Sequence, residues 1–118
     1  VGSAEMEKAM NATTSTTSQR LSTLARLYEQ GQTSPLMERT LDKLLAHEAE
    51  QARAQLEALE ADLAGFEQQY GMPSSEFFRR YQAGQTDDRM DYVEWVSLVH
   101  MRENLLHRLQ LLTDDNGE

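Results

Sequence analysis

Histidines and carboxylates at helical spacing are the first place to look for chemistry in this chain. Its three histidines are His47, His100 and His107, and it has no cysteine. His100 and His107 stand seven positions apart with Glu103 between them, so on a helix all three share a face. In principle that face could hold a metal through two imidazoles and a carboxylate. The ordinary reading is a solvated helix face, and it is preferred. His47-Glu48-Ala49-Glu50 lacks the second histidine of a His-Glu-x-x-His zinc motif. A di-iron bundle needs Glu-x-x-His pairs on two helices, and none occurs. Asp87, Asp88, Asp91 and Glu94 resemble a fragment of a calcium loop, but the glycine at its sixth position and the twelve-residue frame are missing. Helix capping accounts for these acids better.

Nucleophilic catalysis has no candidate. Without cysteine there is no thiol nucleophile, thiolate zinc site or disulfide, and no serine is persuasively paired with a histidine. Glycine-rich phosphate loops and Gly-x-Ser-x-Gly elbows are both missing. The many carboxylates between residues 38 and 67 fit a solvated acidic face. No catalytic residue, cofactor site or metal site is therefore assigned, and the chain is read as a non-enzyme. Arg79-Arg80, flanked by Phe77, Phe78 and Tyr81, is the one adjacent basic pair and could suggest stacking on nucleic acid. The chain carries 20 acids against 11 bases, a formal charge of −9. That balance disfavours phosphate binding and suits a partner with a basic surface.

The elements that would position such residues are helices. The 118 residues make one domain's worth of chain, and a mean hydropathy of −0.67 suits an extended helical bundle. No apolar run nears the ~20 residues of a membrane helix. No signal peptide is visible, and a cytoplasmic protein is expected. Val1-Gly2-Ser3 reads as a cloning remnant. The Ser/Thr-rich stretch 11–19 predicts a loose lead-in, with a capping residue near Thr17–Ser18. A first helix is predicted from Gln19 to Gln30, bearing Leu21, Leu24, Leu27 and Tyr28 and stopped by Gly31. Ser34-Pro35 starts a second, long helix ending at Gly71-Met72-Pro73. From Ala52 its apolar positions Leu56, Leu59, Leu63, Phe66 and Tyr70 advance in heptad steps. A short helix capped by Ser74 or Ser75 carries Phe77, Phe78 and Tyr81 and stops at Gly84. The last helix, about Arg89 to Leu112, is capped by Asp87 or Asp88. Its apolar stripe includes Tyr92, Trp95, Leu98, Val99, Leu105, Leu106, Leu109 and Leu112.

The predicted architecture is all-α: a long helical hairpin or antiparallel coiled-coil bundle with a short aromatic corner helix. Residues 1–18 form a disordered or frayed lead-in, 19–112 a single helical-hairpin domain, and 113–118 a frayed tail. The last helix, at ~36 Å, is shorter than the second, at ~54 Å, and covers only its second half. Leu41, Leu44 and Leu45 then need cover from the first helix or from a second chain. A dimer is favoured for that reason. The corner is assigned to Phe66, Tyr70, Gly71, Phe77, Gly84, Asp91, Tyr92 and Trp95. Glu76, Phe78, Arg79, Arg80 and Tyr81 are the candidate partner-binding residues.

Residues 63–112 carry a pattern: Phe66-Glu67, Tyr70-Gly71-Met72, Ser74 or Ser75, Glu76-Phe77, Gly84, Asp91-Tyr92 and Glu94-Trp95. In these residues the chain resembles a group of small bacterial and archaeal helical proteins that look like the antitoxin halves of toxin–antitoxin gene pairs, often encoded beside TumE-like toxins. The turn Gly84–Asp88 departs from that pattern in lacking a second glycine. The resemblance implies a protein that binds and silences a small basic toxin. A structural coiled-coil adaptor or oligomerisation module is the alternative.

Overall fold

The computed structural model describes the backbone of residues 2–114 and the side chains of residues 16–114. Over those residues the protein is all-α and contains no strand. Its helices are α1 (Gly2–Glu29), α2 (Pro35–Tyr70), α3 (Ser74–Gln82) and α4 (Met90–Thr113). The chain divides into two compact units, Val1–Leu41 and Asp42–Glu118.

In the first unit the helix expected at Gln19–Gln30 is the end of a longer one. α1 passes through Thr17 and Ser18, so neither residue caps it. Each Ser or Thr costs only about half a kcal/mol against Ala, and extending a formed helix requires no new nucleus. Thr23 returns its hydroxyl to the Gln19 carbonyl at 3.0 Å. The lead-in expected over residues 1–18 lies mostly among side chains outside the described residues. At the other end Gly31 adopts φ +72°, and the Gly31 and Gln32 N–H groups donate to the Tyr28 and Leu27 carbonyls. A left-handed residue thereby closes the last turn. Ser34 caps α2, its Oγ accepting the Met37 N–H at 3.2 Å, and Pro35 follows at the first helical position.

The second unit is a helical hairpin. The seam on α2 is buried or half-buried at every expected position from Ala49 to Tyr70. Its core joins Leu59 and Leu63 of α2, Phe77 of α3, and Trp95 and Leu98 of α4, with Phe66, Tyr70, Met72, Tyr81, Tyr92, Val96, Val99 and Leu105 packed around them. Two cross-helix ion pairs mark the antiparallel register: Arg102 to Glu60 at 3.0 Å and Arg108 to Glu48 at 2.6 Å. Being exposed, they specify alignment more than they add stability. α4 therefore reaches along α2 as far as Glu48, slightly beyond the midpoint expected. Leu44 and Leu45 remain about half exposed, at 52% and 47%. The tail expected to fray at 113–118 is helical at Thr113, and residues 115–118 lie outside the described residues.

The bend uses two left-handed glycines, Gly71 (φ +67°) and Gly84 (φ +72°). Met72 N–H donates back to the Glu67 carbonyl, and Gln85 N–H to the Arg80 carbonyl. The N-terminal caps differ from expectation. The residue preceding α3 is Pro73, with no side-chain cap. The Glu67 carboxylate, projecting from α2, instead accepts the Ser74 N–H at 2.8 Å. Ser74 uses its own hydroxyl elsewhere, as acceptor for Trp95 Nε1–H at 2.9 Å. α4 begins after Arg89, again without a side-chain cap. Asp87 bonds the Arg89 N–H at 3.1 Å, shaping the turn before the helix rather than capping it.

Candidate functional site

The residues assigned to the corner come together around one indole. Trp95, 0% exposed, stacks on Phe77 with centroids 3.9 Å apart and planes 4° from parallel. Phe66 and Tyr70 stack on it at 5.5 and 5.7 Å, and Tyr92 meets both Tyr70 and Phe77 at just over 5 Å. Tyr70 donates its hydroxyl to Asp91 at 2.5 Å. That bond, followed by burial, raises the phenol's pKa. Arg89 forks onto Asp87 through Nε and Nη2 at 2.9 and 2.8 Å, and its guanidinium lies 4.7 Å from the Tyr92 centroid. The Arg89 side chain, then its backbone N–H, hold the Asp87 carboxyl down at about 2. Gly71 and Gly84 are the hinges on either side. These residues build the bend, and their rings are largely spent on one another.

The candidate partner-binding residues fall into two groups. Glu76 accepts from Arg79 Nη2 and from Arg80 Nε, both at 2.7 Å. Those two bonds bring its carboxyl down to about 2. Arg79 and Arg80 remain roughly half to two-thirds exposed, so this triplet is a charged outer face of α3 tied up within itself. Tyr81 turns inward against Phe77 at 5.9 Å. Phe78 takes a different direction: half-buried, it meets the His100 ring edge-on at 5.3 Å.

Phe78 lines a groove of about 590 Å³ formed where all three helices of this unit approach. α2 contributes Glu60, Leu63 and Glu67. Pro73, Ser74, Ser75 and Phe78 form its end. α4 supplies Val99, Arg102 and Glu103. Leu63, Pro73, Phe78 and Val99 give it apolar walls, and three carboxylates stand against one guanidinium. Of the nine residues that accompany Phe78, none was assigned to partner binding from sequence. Their meeting depends on the antiparallel register, which joins positions about 40 residues apart. Arg80 lies instead on a smaller hollow of about 190 Å³ behind the aromatic corner, beside Met72 and Thr86.

The histidine face is less organised. His100 Nδ1 stands 3.8 Å from Glu103, and among the described residues no three His, Asp or Glu side chains gather as metal ligands. Of the four acids that resemble a calcium-loop fragment, Asp87 is bonded to Arg89 and Asp91 to Tyr70. No described helix is long and apolar enough to cross a membrane.

A second apolar surface lies on the outside of α4. Met90, Val93, Met101 and Leu111 are 76%, 45%, 49% and 68% exposed. At 100° per residue they fall within roughly 80° of arc, away from Trp95 and Leu98. The same arc holds Ser97, Asn104 and Arg108, so α4 buries one apolar face and carries four large apolar side chains on an otherwise polar face that meets solvent. Comparison of the chain with protein-family models, curated proteins and solved structures returned no match.

Proposed function

We propose that this chain is a protein-binding, antitoxin-like module of the cytoplasm, which neutralises a small basic toxin by masking it with the helical hairpin. The observation that carries the reading is the outer face of α4. A helix that buries one apolar face and still exposes Met90, Val93, Met101 and Leu111 has a surface suited to another protein. The acidic excess of the chain favours a basic partner and would speed its approach. The resemblance of residues 63–112 to antitoxin-type proteins supports the same reading. On this view the protein acts by binding and performs no catalysis.

The test is growth rescue. The product of the adjacent gene should arrest growth when expressed alone, and co-expression with this chain should restore it. Met101→Asp and Leu111→Asp, which place charge on the outer face without touching the core, should abolish rescue while leaving the helical content intact. A neighbour that is harmless alone ends the reading.

The adaptor or oligomerisation alternative rests on Leu44 and Leu45, about half exposed on a long helix. It expects a stable dimer by light scattering that Leu44→Asp dissociates. A monomer at high concentration counts against it.

A further inference from the structure

We propose that the groove between α2, α3 and α4 is a receptor for one arginine side chain of the partner protein. This inference rests on the protein-binding reading and specifies where and how the partner is anchored.

The groove has the composition such a side chain needs. Leu63, Val99 and Phe78 offer apolar contact to a methylene stem, and Phe78 supplies an aromatic ring beside which a guanidinium is favourable. Glu60, Glu67 and Glu103 provide the carboxylates. They are not equivalent. Glu60 is committed to Arg102 at 3.0 Å. Glu67 accepts only a backbone N–H, from Ser74 at 2.8 Å, and among the described residues no arginine or lysine pairs with it or with Glu103. Glu103 has the His100 Nδ1 at 3.8 Å, and both carboxylates stand without an arginine or lysine partner that an incoming cation would have to displace. Arginine is preferred over lysine because its planar fork can engage two carboxylates and lie against a ring at once. Arg102 is the opposing element: its positive charge on the groove wall weakens binding of a second cation.

The probe is Nα-acetyl-arginine-amide titrated into the full chain and followed by amide chemical shifts, with the lysine and norleucine amides as comparisons. The arginine amide should move the resonances of Ser75, Phe78, Val99 and Glu103. The lysine amide should bind more weakly and the norleucine amide leave them still. Glu67→Gln keeps an acceptor for the Ser74 N–H, so the fold should stand. Combined with Glu103→Gln it should weaken binding by about tenfold or more. Glu57→Gln, equally acidic but outside the groove, should change nothing. Arg102→Gln should tighten binding, whereas Arg53→Gln on the exposed side of α2 should not.

Shifts confined to the groove, with those opposite responses, support the proposal. Shifts scattered over the acidic surface overturn it, as does equal binding by the double variant or an Arg102→Gln effect matched by Arg53→Gln. A rescued toxin together with an unmoved groove overturns the arginine receptor alone and leaves the protein-binding reading in place.

Discussion

Replacing Ser74 with alanine should destabilise the hairpin through an atom that belongs to another helix. Trp95 is 0% exposed, and its Nε1–H donates to Ser74 Oγ at 2.9 Å. Removing that oxygen leaves the N–H of a fully buried indole without its partner, a loss of about 1–3 kcal/mol. Alanine returns about 0.5 kcal/mol through its better helix propensity. The net cost is then about 0.5–2.5 kcal/mol. At about 4 °C per kcal/mol for a domain near this size, the midpoint should fall by about 2–10 °C. Thermal and urea melts followed by circular dichroism measure this directly, and Trp95, the sole tryptophan, reports the same transition by fluorescence. Ser75→Ala is the control. Ser75 is exposed, so that variant should gain a few tenths of a kcal/mol or stay level. If Ser74→Ala melts at or above the parent temperature, or matches Ser75→Ala, the buried indole bond contributes nothing and the reasoning fails.

Gly65 and Gly71 should respond oppositely to alanine, because a Cβ at either position meets nothing within 4 Å and only backbone conformation differs. Gly65→Ala, inside α2, should stabilise by about 0.5–1 kcal/mol, whereas Gly71→Ala, at φ +67°, should cost about 1–2 kcal/mol; urea midpoints decide. Leu59→Ala, in the core at 6% exposure, should cost about 2–5 kcal/mol, while Leu44→Ala at 52% should cost the isolated chain far less. Acid titration should separate Glu76 from its amide. With its folded pKa near 2, below the ordinary 4.5, the carboxylate contributes stability that is complete above about 4.5 and fades as the pH falls towards about 2. The parent should therefore lose its advantage over Glu76→Gln across that window, and a constant difference in melting temperature from pH 6 to 2 would contradict the local pairing.

Local signals were legible in the sequence. Gly31, Gly71 and Gly84 marked the helix ends because left-handed residues are hard to supply otherwise, and all three adopt positive φ. Ser34-Pro35 marked the start of α2, and the heptad seam identified the buried face. The aromatic residues of the corner could be named because their spacing concentrated them at the bend. Features requiring two distant segments in register were not legible. Ser74 looked like a cap for its own helix, but the cap comes from Glu67, seven residues upstream, and the serine hydroxyl serves Trp95. The groove beside Phe78 joins Glu60 to Arg102, 42 residues apart. Periodicity assigns a residue to a face but not to a level along the partner helix. The long extent of α1 was missed because weak propensities at Thr and Ser yield to an adjoining helix.

Ser74 has one further consequence, for the order in which the structure can assemble. Its amide is held by α2 and its hydroxyl by α4, while α3 is only nine residues long and too short to persist alone in water. The corner helix therefore has no independent existence. It can form only as the two long arms close, so the elbow should appear and disappear together with the hairpin, and a fragment ending before Met90 should leave residues 74–82 as coil.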